Sequence, residues 1–311
     1  MKGDIAIFER HRARLLSIAY RMLGEMTAAE DVAQEAWLRW RAVEADEIRD
    51  PRAWLSTATV RLSLDALRAA RARRESYVGP WLPEPILPDD MRSFAADAPS
   101  DHAELASDLS LALMHVLERL SPEERAALIL HDAFDFTYDV IAATLGKSEP
   151  ACRKLVSRAR ERVKADRPRY TASRDQHRDL LTRFARASAA ADAKELAALF
   201  APDAIAYTDG GGRAAAALNP IYGADKVARL ILGLARKLAS RPAQAWRATE
   251  VNGRAAIIGG AEGEALTAIT LETDGQCITA VYVLRNPDKL GRLSRMLGRN
   301  GAGEDDAQGD A

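Results

Sequence analysis

Residues 135–162 read DFTYDVIAATLGKSEPACRKLVSRARER and have the pattern of two short helices joined by a tight turn. Apolar residues at helical spacing predict a first helix that stops at Gly146, and Pro150 suits the first turn of the next, where amides lack intrahelical partners. An apolar stripe in the second helix comprises Cys152, Val156, Ala159 and Val163. Because basic side chains cover its other faces, the stretch predicts a helix-turn-helix that enters the major groove of DNA. The alternative is a helical pair with a solvated basic face.

Composition limits the class of protein. The 311 residues predict two or three domains, and 48% hydrophobic with 29% charged residues is typical of a soluble globular protein. The net charge of −1 excludes an overall basic field. Cys152 and Cys277 are expected as free thiols, because one belongs to a helix stripe and the other to a strand-like run. With neither a membrane-spanning run nor a signal-peptide core, we expect a cytoplasmic protein.

Charge is distributed unevenly along the chain. Residues 52–74 contain six arginines and one acid, residues 75–108 contain eight acids and one arginine, and residues 147–169 contain nine bases and three acids. Two basic segments therefore flank an acidic one. This pattern favours a protein that contacts DNA at two places.

The N-terminal segment predicts three helices. The first spans residues 5–24, the second begins at a capping box of Thr27 and Glu30, and Asp50 caps the third. The second helix presents an outer face that is either solvated surface or a partner-binding face: Asp31, Gln34, Glu35 and Leu38. The third helix ends in a ladder of arginines: Arg61, Arg68, Arg71, Arg73 and Arg74.

These segments resemble a known family. The sequences DVAQEAWLRWRAV and DPRAWLSTATVRLSLDALRAARARR, followed by the helix-turn-helix, are similar to domains two and four of the extracytoplasmic-function (ECF) sigma factors of the sigma-70 superfamily. The resemblance implies two all-α modules, sigma domain two at residues 1–76 and sigma domain four at 103–168. It also implies a role in promoter-specific transcription initiation. Arg61 stands where many such factors have Asn, which puts the −10 readout in doubt.

The resemblance also implies partners and contact residues. Core RNA polymerase would bind through its two largest subunits, the clamp helices at the Asp31–Leu38 face and the flap at residues 103–145. Contacts to the −35 promoter element are expected from Pro150, Arg153, Lys154, Ser157 and Arg158. Contacts to the melted −10 region are expected from Arg61, Arg68, Arg71 and Arg73.

A Pro-rich acidic linker is predicted over residues 77–102 and includes the motif WLPEP at 81–85. Its 25 residues from Tyr77 to Asp101 reach at most about 85 Å, and two turns of DNA measure about 70 Å. A semi-extended linker would therefore let two modules bind sites two turns apart. Trp81 either docks on another part of the protein or belongs to a loop folded onto its own domain.

Residues 172–290 predict helices followed by strands with turn residues between them, which indicates an α+β cone with a curved antiparallel sheet. This order is similar to the SnoaL-like fold. DGGGR at 209–213, WLPEP at 81–85 and NPDKL at 286–290 together resemble the ECF subgroup that carries a fused SnoaL-like domain. We expect residues 291–311 to form a flexible tail.

Catalysis by the third module has little support. Asp203, Tyr207 and Asp209 are available as acids or bases, but no His follows His177 and no metal-ligand spacing occurs. We therefore expect no enzyme, no cofactor and no metal site. The alternative function is a ligand sensor, or a cyclase- or isomerase-like enzyme, fused to a transcription module.

The three motifs predict a regulatory contact. The residues are Trp81, Leu82, Pro83, Asp209, Gly210, Gly211, Gly212, Asn286, Pro287, Asp288, Lys289 and Leu290. We expect the cone to pack on the linker and on the first sigma module, and to regulate transcription in cis. A tethered partner acts at an effective concentration of order millimolar, so no separate anti-sigma protein is required. The interpretation of DGGGR as a plain hairpin turn stays open.

Overall fold

The computed structural model describes residues 4–43, 48–75, 77–95, 108–166, 172–239, 245–261 and 264–301. The polypeptide divides into two units. The first joins Met1–Ser76 to Asp89–Arg167, and the second joins Tyr77–Pro88 to Pro168–Ala311. The two helical modules expected from the sequence therefore share one unit, and the start of the predicted linker belongs to the C-terminal domain.

Three helices form the N-terminal part of the first unit: α1 (Ile5–Leu23), α2 (Met26–Ala42) and α3 (Pro51–Glu75). Gly24 ends α1 in the left-handed conformation, with φ of 70°, which suits glycine because it has no Cβ. The helices pack around a core made of Phe8, Leu15, Ala36, Trp40 and Leu55. Phe8 and Leu15 of α1 and Ala36 and Trp40 of α2 thus face inward.

The caps of these helices differ in how well the sequence predicts them. The amide of Ala53 donates to Asp50 Oδ1 at 3.0 Å, which confirms the cap of α3. The capping box predicted at Thr27 is wrong, because α2 already begins at Met26 after Glu25, which makes no side-chain cap bond. Since the chain turns at Gly24, the next helix starts at once, and Thr27 lies inside its first turn.

The C-terminal part of the first unit is also helical. Its elements are α5 (Leu111–Glu118), α6 (Pro122–Leu128), a π-helical turn (Ile129–Ala133), α7 (Tyr138–Leu145) and α8 (Glu149–Asp166). A capping box of Ser121 and Glu124 opens α6. Gly146 ends α7 with φ of 64°. The predicted stripe of α8 is buried: Cys152, Val156, Ala159 and Val163.

One helix lies within the predicted linker. Helix α4 spans Pro88–Ala95, and Phe94 is buried 6.3 Å from the ring of Tyr20. The expectation of a linker without packed elements is therefore wrong over these residues. Pro88 at the first helical position and the acids Asp89 and Asp90 in the first turn favour helix formation, and they outweigh the Pro-rich composition.

Buried arginines join α1 to the C-terminal part of the same unit. Arg14 Nη2 donates to the carbonyl of Phe134 at 3.1 Å, and its guanidinium lies 4.7 Å from the Phe134 ring centre. Arg125 Nη1 donates to the carbonyl of Met22 at 2.6 Å. Burial lowers the pKa of Arg21 to about 10, so this side chain is still charged at neutral pH. Polar groups thus hold together the helices expected to form separate sigma domains.

The second unit contains helices α9 (Arg174–Ala189), α10 (Ala193–Ala198), α11 (Ala224–Ala239) and α12 (Pro287–Gly301). Its strands are β1 (Phe200–Asp209), β2 (Ile221–Tyr222), β3 (Ala245–Val251), β4 (Arg254–Ala261), β5 (Glu264–Thr273) and β6 (Ile278–Leu284). The sheet order is β2-β1-β6-β5-β4-β3. This is an α+β domain in which apolar side chains of α9, α10 and α11 share a core with the sheet.

The sheet is mixed, whereas the sequence predicted an antiparallel sheet. Strands β1 and β6 pair in parallel, with Ala206 beside Val281, whereas the other neighbours pair antiparallel. The parallel pair follows from the connection, because α11 and the meander β3–β5 separate β1 from β6. Strand β2 comprises only two residues.

The final helix corrects another expectation. Helix α12 continues from Pro287 to Gly301, and Leu290 and Leu293 are buried. The prediction of a flexible tail is therefore wrong for residues 291–301. Apolar residues three apart gave a helical signal that the Gly-rich, charged composition concealed. Residues 302–311 lie outside the described part of the chain.

Within the described ranges, no helix is long and apolar enough to cross a membrane. The same ranges contain no group of three or more His, Cys, Asp or Glu side chains able to hold a metal ion. Cys152 is buried and Cys277 is partly buried, and both are free thiols.

Changing Gly146 tests the left-handed turn of the helix-turn-helix. No atom lies within 4 Å of a Cβ added there, so G146A should cost only the backbone strain, about 1 kcal/mol of unfolding free energy. G146N should cost less, because Asn tolerates this conformation. Urea unfolding followed by helical circular dichroism measures both. Equal stability of wild type and G146A would show that the chain turns here without a left-handed residue.

Candidate functional site

The exposed face of α8 forms a candidate DNA interface. The predicted −35 residues Pro150, Arg153, Lys154, Ser157 and Arg158 are all exposed. Lys154 and Arg158 make no ion pair within the described chain, whereas Arg153 lies 4.2 Å from the ring centre of Tyr138 and 3.5 Å from Glu149. Two cations one helical turn apart are therefore available to an external anion, and a third is held by its own domain.

Other bases of α8 hold the domain together. Arg160 Nε donates to Asp132 Oδ2 at 2.8 Å, and this hydrogen bond raises the pKa of Arg160. Arg162 Nη1 donates to Glu124 Oε2 at 2.7 Å. Glu124 is also the carboxylate of the α6 capping box, so Arg162 ties the end of α8 to the start of α6. Arg160 and Arg162 thus stabilise the fold, whereas Lys154 and Arg158 make no ion pair in the described chain.

The arginines of α3 are placed differently from the expectation of an exposed ladder. Arg61 donates to the carbonyls of Ala143 and Thr144 at 2.8 and 3.2 Å, and so caps the C-terminal end of α7. Thr57 Oγ1 lies 3.3 Å from Thr144 Oγ1. Arg68 is exposed and pairs with Asp65 at 3.2 Å. The side chains of Arg71 and Arg73 lie outside the described residues.

The predicted polymerase face lies on the outer side of α2. Asp31, Gln34 and Leu38 are exposed, and Leu38 exposes 44% of its surface. Glu35 is half-buried and pairs with Arg39 at 3.1 Å. The opposite side of α2 is buried in the core of the first unit at Val32, Ala36 and Trp40. A single exposed leucine is normal on a protein surface, so the polymerase contact at this face stays a prediction.

In the second unit, three motifs of the sequence meet at one buried carboxylate. Asp209, at the end of β1, has no exposed surface. Its Oδ2 accepts from the amide of Leu82 at 2.9 Å and from Lys289 Nζ at 2.8 Å. Its Oδ1 accepts from Tyr77 Oη and from the amide of Gly211. Residues 77–82, β1 and α12 are therefore joined by a single side chain.

Lys289 supplies the charge that this carboxylate needs. Its Nζ also donates to the carbonyl of Leu82 at 2.6 Å and lies 4.1 Å from the centre of the Trp81 indole ring. The side chain is 7% exposed, so the ion pair is shielded from water. Removal of one partner would leave a buried, uncompensated charge.

The glycines of DGGGR allow close approach of neighbouring groups. A Cβ on Gly210 would lie 2.1 Å from the carbonyl oxygen of Ala214, and one on Gly211 would lie 2.4 Å from Asn286 Nδ2. Gly212 has φ of 72° and faces Val78. Asn286 in turn donates to Tyr77 Oη at 2.9 Å. The interpretation of the motif as a plain hairpin turn therefore omits its packing role.

The segment 77–87 is bound to the second unit along its length. Leu82 and Ile86 have no exposed surface. The amide of Ile86 donates to Asn252 Oδ1 at 3.1 Å, and the amide of Asn252 donates to the carbonyl of Ile86 at 3.0 Å. Of the residues expected here, Leu82, Asp209, Gly211, Asn286 and Lys289 take part in these contacts. Pro83 and Pro287 have no N–H group to donate, and Leu290 is buried.

Sequence reasoning missed several participants. Tyr77 and Asn252 lie outside the three motifs, and Tyr77 has no pattern of its own. Arg285, which donates to the carbonyl of Ala215, precedes NPDKL directly. Asp288 does not face the carboxylate but pairs with Arg213 at the surface. A positive φ of 54° at Asn252 marks a turn that the dipeptide Asn-Gly predicts.

The candidate acids and bases of the C-terminal domain do not form a catalytic set. Asp203 is exposed, Tyr207 stacks on Tyr282 with ring centres 5.4 Å apart, and Asp209 is fully hydrogen-bonded inside the domain. A general base must reach a substrate proton, and Asp209 has no open side for one.

Comparisons with known proteins agree with this arrangement. Residues 7–73 match the model of sigma-70 region 2, and residues 110–163 match that of sigma-70 region 4. The chain is 40% identical over 297 residues to the ECF RNA polymerase sigma factor SigJ of Mycobacterium tuberculosis, covering 92% of this chain and 93% of SigJ. It is 32% identical to the probable ECF RNA polymerase sigma factor SigI of the same species, covering 94% and 97%.

A solved structure matches nearly the whole chain. The crystal structure of M. tuberculosis SigJ superposes with a TM-score of 0.70 at 35% identity, covering 92% of this chain and 98% of that one. The likeness therefore includes the C-terminal α+β domain as well as the two helical modules. The chain belongs to the ECF branch of the sigma-70 family, the RNA polymerase subunits that direct promoter-specific transcription initiation.

Proposed function

We propose that the C-terminal domain regulates this sigma factor in cis by controlling how much of the linker is free. The observation that carries the proposal is the buried Asp209 carboxylate, which binds the linker at Leu82 and α12 at Lys289. While residues 77–87 are bonded to the domain, they do not act as free tether. Release would return about eleven extended residues, roughly 36–40 Å of reach, to the connection between the modules.

Tethering makes such control possible without a second protein. Because the linker and the domain are in one chain, their effective concentration is of order millimolar, and weak contacts are then nearly saturated. The observed contacts are several and buried, so the bound form dominates. A separate anti-sigma protein is therefore not required in this proposal.

Core RNA polymerase and promoter DNA are the partners of a sigma factor, and we assign their contacts as follows. The outer face of α2, with Leu38 at its centre, binds the clamp helices of the largest subunit. Helices α5 to α7 meet the flap of the other large subunit. Lys154 and Arg158 contact the −35 element, and the arginines of α3 hold the melted −10 region.

The two DNA-binding segments must separate for this assignment. Arg61 is bonded to α7, and Thr57 on α3 approaches Thr144 on α7 within the first unit. Two elements about two turns of DNA apart, about 70 Å, cannot be reached by helices in direct contact. We therefore infer that the first unit is in a closed form and that opening would free Arg61 for DNA.

The family is not an enzyme family, and the buried Asp209 provides no open catalytic group. The alternative function, a small-molecule enzyme, therefore has no observation in its favour. A ligand-sensing role for the C-terminal domain is a separate question, since binding requires a cavity and no catalytic group.

Exposed cations of α8 give the first functional prediction. K154A and R158A should each weaken promoter binding and reduce the salt slope by about one, because each removes a charge available to phosphate. If one of them contacts a base, its replacement should also reduce the free-energy preference for the correct base over a wrong one by about 1–3 kcal/mol. Binding to promoter DNA at several salt concentrations measures this.

The matched control is K164A, which removes one exposed charge near the end of the same helix. It should have a smaller effect. Equal losses of promoter affinity in K154A, R158A and K164A would mean that only the total charge of the helix affects binding. The assigned contacts would then be wrong.

A disulfide across the α3–α7 contact tests the closed form. The hydroxyls of Thr57 and Thr144 are 3.3 Å apart, so cysteines at these positions are placed to bond after small adjustments. The oxidised double variant T57C/T144C should lose run-off transcription with core polymerase and regain it on reduction. Each single cysteine variant is the control. A cross-linked chain as active as the reduced one would refute the need for opening.

Breaking the Asp209–Lys289 pair tests linker release. K289M leaves a buried carboxylate without its cation, which costs about 3–5 kcal/mol, and should expose residues 77–87 to protease. D209N/K289M should restore part of the protection because no net charge remains buried. Transcription should change in K289M and return towards wild type in the double variant.

The control is R213A, which breaks the Arg213–Asp288 pair. Both of its side chains are 61% exposed, so its loss should matter by less than about 1 kcal/mol. If K289M released the linker with no change in transcription, the contact would be structural and not regulatory.

A further inference from the structure

A cavity of about 600 Å³ lies in the C-terminal domain between α9, α11 and the strands β3–β5. This volume is within the range of small-molecule sites, roughly 300–1,000 Å³. Its walls are mainly apolar and include Phe184, Ile231, Leu234, Ile257 and Ile269. The cavity is separate from the Asp209 site, since none of the residues bonded to that carboxylate lines it.

Two hydroxyl groups of the wall have no partner. Thr267 Oγ1 and Ser188 Oγ are buried and accept or donate no hydrogen bond within the described residues. Thr267 has no exposed surface, so its hydroxyl lies at the closed part of the cavity. A buried hydroxyl left unpaired costs free energy, and an apolar residue of the same shape would avoid it. Their retention points to a ligand with an oxygen or amide group in its apolar body.

One wall of the cavity is built by a row of residues across three strands. Trp246 on β3 pairs with Gly259 on β4, which pairs with Thr267 on β5. A Cβ on Gly259 would lie 2.7 Å from the Trp246 ring. The absence of a side chain at Gly259 therefore lets the indole lie across the sheet towards Thr267. The lining includes both Trp246 and Thr267.

The opening carries positive charge. Arg186 and Arg236 line the cavity and are exposed. Arg186 is neutralised by Glu195 at 2.6 Å. Arg236 has no carboxylate partner in the described chain and makes only a long bond, 3.4 Å, to the carbonyl of Leu232 in its own helix. The opening thus has one uncompensated cation beside an apolar interior.

We propose that this cavity binds an amphipathic monoanion, with an oxygen-substituted apolar chain inside and a carboxylate or similar group at Arg236. The chain fills the apolar interior, its substituent bonds to Thr267, and its anionic end pairs with the guanidinium. This proposal does not depend on whether the C-terminal domain regulates transcription, because ligand binding is measured directly.

Displacement of anilinonaphthalene sulfonate from the full-length chain tests the site, with three probes: dodecanoate, a mid-chain oxo-dodecanoate and dodecanol. The oxo probe should bind several-fold, up to about tenfold, more tightly than dodecanoate because of one added hydrogen bond. T267V should abolish this preference. R236Q should weaken both anions and leave dodecanol unchanged.

Two control variants and a stability measurement complete the test. T270V changes the same residue type on the opposite face of β5, and should not alter the preference for the oxo probe. G259A should weaken all three probes, because the indole must move. The unfolding midpoint of T267V should rise, since a methyl group replaces an unpaired hydroxyl, and this confirms that the variant is folded.

Two results would overturn the proposal. One is failure of every probe to displace the dye, or an oxo preference that persists in T267V. The other is a dimer by light scattering that G259A converts to a monomer, which would mean that a second copy of the chain covers this face.

Discussion

The bond between Asp209 and Lys289 sets the architecture of the second unit. A carboxylate without access to water is stable only if cations and amides satisfy it, and here they come from three distant parts of the chain. The strand that carries Asp209, the turn after it, the linker and the last helix must all be in place before the charge is compensated. The three sequence motifs therefore act together, because each supplies a group that the buried Asp209 carboxylate needs.

The first unit shows a different use of charge. Arginines of α1, α3, α6 and α8 bond to carbonyl groups and carboxylates inside the unit, while Lys154 and Arg158 remain available. Sequence alone treats all of these bases as one positive surface. Structure divides them into those that hold helices together and those that can bind an external anion. Arg61 belongs to the first group and would join the second only if the unit opens as proposed.

Local patterns predicted most helices and the helix-turn-helix, because apolar spacing and glycine stops are properties of adjacent residues. Asp50 and Gly146 act as expected. The predictions that failed concern structure that depends on residues far apart in the sequence. The parallel pairing of β1 with β6 depends on the connection between them, and the folding of residues 291–301 into α12 depends on burial of Leu293.

The candidate site divides in the same way. The meeting of WLPEP, DGGGR and NPDKL was expected from their joint resemblance to a subgroup. The bond of Tyr77 to Asp209 and that of Ile86 to Asn252 have no signal in the sequence. The bonding of Arg61 to α7 was also beyond the reach of sequence, since its carbonyl partners are backbone groups 82 and 83 residues away.

The arginine-lined contact between α1 and the helix-turn-helix part has a consequence for the chain in solution. When the two parts separate, the surfaces that reach water carry guanidinium groups such as those of Arg14, Arg21 and Arg125. Charged surfaces are hydrated and repel their copies, so an opened molecule exposes less sticky apolar area than a leucine-lined contact would. If the two parts separate as proposed, the open form would therefore be less prone to aggregation.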